Sequence, residues 1–227
     1  MAKTLSEIKS DIYFLTETHE RLTPQKDFQA IFSGTPDRKH LEGERWTSIW
    51  SRWPITSLND FVSDKSRCVA GEIENTPFGQ LIVYGTVLPW NGDRRTPNNG
   101  NHIAFGDALE ALKDDIARIK DVYPKSIIVL AGDFNQSLVE NHYYGSKLKR
   151  SKLEHTLKEI ELAPLTSLEN DPIYRDAKPM ACIDHICVST DKEWEVLETF
   201  KWPNKKSLKR EDSDHYGVKV EIKKFSI

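Results

Sequence analysis

The chain has 227 residues, 38% hydrophobic and 30% charged, with a formal net charge of -3. That length and apolar content suffice for the core of one α/β domain spanning residues 1–227; they exclude wholesale disorder, and the near-balanced charge excludes a general polycation. Residues 1–7 lack the apolar run of a signal peptide and no segment approaches a membrane span, so a cytoplasmic protein with no membrane partner is expected.

Leu5, Ile8 and Ile12 predict a short amphipathic helix feeding a strand at residues 12–15, which delivers Glu17 and His19 at its end. Residues 46–55, 69–73 and 81–88 carry β-branched and aromatic side chains between turn formers such as Pro77 and Gly79, and predict an antiparallel meander. Residues 94–102, rich in Asn and Gly around Pro97, predict a loop of the kind that borders substrate sites. Leu109, Leu112, Ile116 and Ile119 recur at helical spacing, and Pro124 separates that helix from a strand starting at Ile127. Leu153, Leu157 and Ile160 predict a further helix, with Ser151 as its N-cap. Interleaved helices and strands favour mixed sheets covered by helices. The 3 cysteines are an odd number, and Cys182 and Cys187 fall on opposite faces of one predicted strand, so buried reduced thiols are expected.

Chemistry concentrates at four places. The apolar run at residues 127–131 ends abruptly in Gly132, Asp133, Phe134 and Asn135, which is how a buried strand delivers polar groups to the rim of a sheet, where ligands collect. Glu17 and His19 follow the first strand; Asp184 and His185 follow Cys182 and Ile183; Asp214 and His215 precede the alternating Val218, Val220 and Ile222. Phosphodiester hydrolysis needs charge neutralised on the phosphoryl oxygens, an activated water and help for the departing oxygen, and carboxylates with a hard divalent cation meet those needs. In such a scheme Asp133 orients or deprotonates water, Asn135 donates its amide to a phosphoryl oxygen, and Asp184 holds His215 as a carboxylate–imidazole pair. Asn135 has a structural alternative as a turn residue, and Glu17 as an exposed strand-end carboxylate. His185 points away from Asp184 and reads as a core or surface histidine, His19 reads as structural, and His40, His102, His142 and His155 have no supporting motif.

Taken in chain order, Thr16-Glu17-Thr18, Gly132-Asp133-Phe134-Asn135, Ile183-Asp184-His185-Ile186 and Ser213-Asp214-His215 resemble the endonuclease/exonuclease/phosphatase superfamily, the DNase-I-like metallophosphoesterases. Ser51-Arg52-Trp53-Pro54-Ile55 adds a fifth ordered point, and the likeness spans residues 11–222. The resemblance implies an α/β fold, a DNase-I-like four-layer sandwich of two mixed β-sheets flanked by helices, with the active site at one end. It implies a Mg²⁺-dependent hydrolase of phosphodiester bonds, with Mn²⁺ as a substitute. The resemblance assigns the metal to Glu17 and catalytic roles to Asp133, Asn135, Asp184 and His215, while Asp214, beside His215, is the natural second metal or water ligand.

Nucleic acid is the leading substrate. Trp90, Tyr143, Tyr144 and Trp202 lie near basic residues, a combination suited to stacking bases while Arg94, Arg95 and Lys147, with Lys149 and Arg150, hold the backbone. A small nucleotide, inositol phosphate or lipid head group, or a catalytically degenerate binding protein of the same fold, stand as alternatives. The basic stretches at residues 147–152 and 205–210 have a plain alternative as solvated faces.

Two departures from the superfamily pattern stand out. Its usual first strand, carrying an Asn that supports the metal, has no room ahead of the helix at Leu5, which implies truncation, a misplaced start codon or a strand borrowed from another subunit. Val87 stands where relatives place a His or Tyr, so Tyr84, His102, Arg94 or Arg95 must substitute if a proton donor is kept there.

Overall fold

A computed structural model describes Leu5 and residues 7–90, 92–93, 101–140, 142, 144–177, 180–191, 194–203 and 213–224, except the side chains of residues 101–103, 177, 194 and 224. The chain falls into two compact units, Met1–Leu88 with Glu110–Gly132, and Pro89–Leu109 with Asp133–Ile227.

In the first unit, β1 (Ile12–His19), β2 (Gln29–Phe32) and β3 (Glu44–Ser51) form an antiparallel sheet in the order β1-β3-β2. Being central, β3 is covered on both faces, and Trp46, Thr47, Ser48, Ile49, Trp50 and Ser51 are all buried. Its polar side chains find partners there: Thr47 Oγ1 donates to the Arg67 carbonyl at 2.7 Å and Trp50 Nε1 to Ser48 Oγ at 3.2 Å, as buried polar groups must. The strand expected over residues 46–55 is two strands. β3 stops at Ser51, and β4 (Ile55–Ser57) starts after Pro54, which has no N–H to give a ladder. The meander is β4, β5 (Val69–Thr76) and β6 (Gly79–Val87), paired antiparallel, with β7 (Ile127–Asp133) beside β6.

The helix predicted around residues 109–119 is α1 (Asn101–Val122), and Leu112, Ile116 and Ile119 are buried at the predicted spacing. Asp115 lies among them, 1% exposed, and accepts hydrogen bonds from Ser63 N, Ser63 Oγ, Tyr84 Oη and Arg118. A carboxylate with that many donors is a structural tie.

The second unit contains α2 (Lys147–Glu159), the antiparallel pair β8 (Leu162–Pro164) and β9 (Asp184–Ser189), the short α3 (Pro172–Ala177), and the antiparallel ribbon β10 (Trp194–Trp202) and β11 (Gly217–Lys224). Ser146, not Ser151, caps α2: its Oγ accepts from Lys149 N at 3.2 Å, while Ser151 is exposed inside the helix. The helix starts earlier because Gly145, at φ 87°, turns the chain into it and Gln136 Oε1 accepts from Ser146 N at 2.9 Å. Cys68, Cys182 and Cys187 are buried and unbridged, with burial pushing the Cys68 thiol up to about 12 and raising the other two. Among the described residues no helix is long and apolar enough to cross a membrane.

Candidate active site

Gly132 sets the end of β7. Its φ is 144°, and a Cβ placed there would meet the Thr86 carbonyl oxygen at 1.9 Å, so only glycine lets the backbones come this close. Beyond it Asp133 and Asn135 are 5% and 6% exposed, with Phe134 fully buried between them. Phe134 N donates to the Ile183 carbonyl at 2.9 Å, which brings this step of chain against the residue before Asp184. Asp184 opens β9 instead of ending a strand, whereas His215 precedes β11 as the alternating Val218, Val220 and Ile222 predict. Cys182 explains the first: its N donates to the buried Asp171 carboxylate at 2.8 Å, fixing the chain two residues ahead of Asp184. Cys182 also packs with Ile173 and Tyr216, neighbour of His215, in one apolar cluster.

These elements bring Asp133, Asp184 and His215 together, one ligand atom of each lying within 4.8 Å of the others. His215 Nδ1 lies 2.9 Å from Asp184 Oδ2, and Ser213 Oγ accepts from His215 N at 3.0 Å. The hydrogen bond to Asp184 outweighs desolvation and, with the charges of Asp184, Asp133 and Asp214, raises the imidazole to about 9, so it is an imidazolium at neutral pH.

Asn135 closes a ring with Asp133. Its backbone N donates to Oδ1 at 2.8 Å and its Nδ2 to Oδ2 at 2.9 Å, a geometry that requires the left-handed backbone, φ 49°, that Asn tolerates. Tyr144 Oη donates to Asn135 Oδ1 at 2.8 Å.

Glu17 belongs to the first unit. It is a non-glycine residue in left-handed backbone inside β1, φ 45°, with its side chain 56% exposed and Arg38 Nη2 at 3.6 Å from its carboxylate. Arg38 lies 3.9 Å over the ring of the buried Trp46. Backbone strain of that kind costs ~1–3 kcal/mol and gathers at functional positions. Asp214 is exposed and outside the Asp133–Asp184–His215 cluster. Lys147 is exposed on the first turn of α2.

Lys149 and Arg150, expected beside it at the substrate, are instead buried. Lys149 Nζ has no hydrogen-bond partner and lies 4.8 Å from the Phe105 ring, with desolvation lowering its pKa; Arg150 Nη1 donates to the Val139 carbonyl at 2.8 Å. Arg94, Arg95, Tyr143 and the basic stretch at 205–210 lie outside the described residues, as does the predicted loop up to residue 100; residues 101 and 102 already belong to α1.

His185 is a core histidine. It is 1% exposed, with Nδ1 3.1 Å from Thr166 Oγ1 and Nε2 3.0 Å from the Gln136 carbonyl, and burial lowers its pKa. His19 is structural, its ring nitrogens occupied by the Glu42 carbonyl and Arg21 N. Val87 is buried, and Tyr84, named as its substitute, gives its hydroxyl to Asp115.

A carboxylate, a carboxamide and an imidazolium held by a second carboxylate form a site for anionic, oxygen-rich chemistry. The sequence matches the Endonuclease/Exonuclease/phosphatase family over residues 1–215. The chain belongs to that family. It is therefore a hydrolase of the phosphoesterase and nuclease type, from a family that works with a divalent metal.

Solved structures carry the same DNase-I-like fold. The endonuclease domain of TRAS1, a telomere-specific non-LTR retrotransposon, aligns with a TM-score of 0.59 at 16% identity, over 97% of this chain and 88% of that one. The 3'-5' exonuclease NExo from Neisseria meningitidis gives 0.61 at 17% identity, over 96% and 91%. An endonuclease/exonuclease/phosphatase from Beutenbergia cavernae DSM 12333 gives 0.61 at 18% identity, over 98% of this chain and 65% of that one. No curated protein matches the chain in sequence.

The donor set fits a hard cation. Asp133 and Asp184 offer carboxylate oxygens and the exposed Asp214 stands next to His215, whose Nδ1 is committed to Asp184.

Proposed function

We propose that this family member hydrolyses phosphodiester bonds of nucleic acid with Mg²⁺, for which Mn²⁺ substitutes. The observation that carries the reading is the 2.9 Å Asp184–His215 pair set within 4.8 Å of Asp133. Glu17 is the carboxylate assigned to the cation, with Asp214 as a second; the cation, when bound, offsets charge on the phosphoryl oxygens.

The remaining work belongs to side chains. Asp133, an acceptor fixed from both sides by Asn135, orients the attacking water and receives its proton. Asn135 Nδ2 donates to a phosphoryl oxygen. His215, charged and aimed by Asp184, stabilises the extra negative charge of the transition state or returns a proton to the departing oxygen. Lys147, Arg94 and Arg95 are assigned to the phosphate backbone. Nucleic acid is favoured over small esters because TRAS1 and NExo are named as an endonuclease and an exonuclease, and because the half-buried Trp90 and Trp202 suit base stacking.

A substrate panel tests this: single-stranded, double-stranded and abasic DNA, RNA, and bis(p-nitrophenyl) phosphate, each with Mg²⁺, Mn²⁺ or EDTA. Cleavage of at least one nucleic acid, dependent on metal and abolished by EDTA, is expected. Turnover confined to the small ester, or undiminished in EDTA, contradicts the proposal.

A further inference from the structure

Tyr144 reads in the sequence as an aromatic for base stacking, but its hydroxyl is committed to Asn135 Oδ1 at 2.8 Å. We propose that Tyr144 is a positioning residue for hydrolysis, one that fixes and polarises the Asn135 carboxamide; the inference rests on the function proposed above.

The amide is held at both ends. Nδ2 donates to Asp133 Oδ2 at 2.9 Å, and the phenol donates to Oδ1 from the other side. Rotating the carboxamide by half a turn would set Oδ1 against the Asp133 carboxylate, acceptor against acceptor, and would replace the bond that Tyr144 donates to Oδ1 by one it accepts from Nδ2. A donor on the carbonyl oxygen of an amide also makes its N–H groups better donors, because hydrogen bonds in a chain polarise one another. Tyr144 thus acts on the end of Asn135 that is assigned to the phosphoryl oxygen without touching substrate itself.

The segment that presents Tyr144 is built for this. Tyr144 N donates to His142 Nδ1 at 3.2 Å, and Gln136 Oε1, on the residue next to Asn135, accepts from Ser146 N at 2.9 Å. Gly145 has no Cβ where one would meet that Gln136 oxygen at 2.3 Å, so the loop seats directly on Gln136. Gln136 is fully buried, and its carbonyl is bonded to His185 Nε2. The phenol therefore approaches Asn135 from a loop anchored one residue away, not from a free surface.

Tyr144→Phe deletes one oxygen and keeps the ring. On the best substrate of the panel it should lower kcat by about 3- to 10-fold, the range of one orienting hydrogen bond, with KM little changed. In an Asn135→Ala background the same change should cost nothing, because Tyr144 acts through Asn135. Tyr144→Leu should match Tyr144→Phe in kcat if the hydroxyl alone matters, and a thermal scan confirms that each variant folds. Full activity in Tyr144→Phe, an equal loss with and without Asn135, or a loss confined to KM overturns the positioning role. A wild-type protein with no metal-dependent cleavage overturns the function itself, and the two failures are distinct.

Discussion

Asp184 and His215 interact across 31 positions of sequence, and their 2.9 Å contact has a consequence for stability as well as chemistry. The folded imidazole binds its proton up to about pH 9, against an ordinary value of 6.5. Its contribution to stability is therefore fully present below about pH 6.5, declines above that and is lost once pH passes about 9. Thermal unfolding of the metal-free protein between pH 6 and 10 should show wild type above Asp184→Asn at pH 6, with the gap closing by pH 10. A gap that widens with pH contradicts the charged pair. Asp133, Asn135, Asp184 and His215 were legible in the sequence because each stands where an apolar run meets a polar one, a pattern local enough to read. Tyr144 was not: nine residues separate it from Asn135, and nothing in a Tyr between His142 and Gly145 announces a hydrogen bond. Lys149 and Arg150 misled because a charge run reads as surface, although a long stem can be buried when the head stacks on Phe105 or reaches the Val139 carbonyl.

At the scale of elements, the spacing of Leu112, Ile116 and Ile119 gave α1 its buried face, and the β-branched runs gave the meander strands. What spacing could not give was which sheet a strand joins. β3 leaves the meander for β1 and β2 across the break at Pro54, and β2, only 4 residues long, is too short to carry a period. Capping was misread for a related reason: Ser151 and Ser146 both precede apolar positions, and only Gly145 and Gln136 decide between them. Ser146→Ala should accordingly cost ~1 kcal/mol, lowering the thermal midpoint by about 2–4 °C, while Ser151→Ala on the exposed face of α2 should change it by far less. Equal effects of the two substitutions would contradict the cap.

At the scale of the whole molecule, the family match over residues 1–215 runs through both compact units, and the likeness to TRAS1 and NExo extends over nearly the full chain. Fold and family leave the substrate open, since one scaffold serves many phosphate esters, and the chemistry has to be argued from particular side chains. In the proposed reaction that chemistry rests on the carboxylate of Asp133 and the charged imidazole of His215 acting on one phosphoryl group. The most direct test is the single-turnover cleavage rate with saturating Mg²⁺ for wild type, Asp133→Ala and His215→Ala. Each variant should fold, bind substrate within a few-fold of wild type and lose ~10²–10⁴ in rate, the range for a deleted acid, base or charge stabiliser. Folded variants that cleave at the wild-type rate would contradict the account.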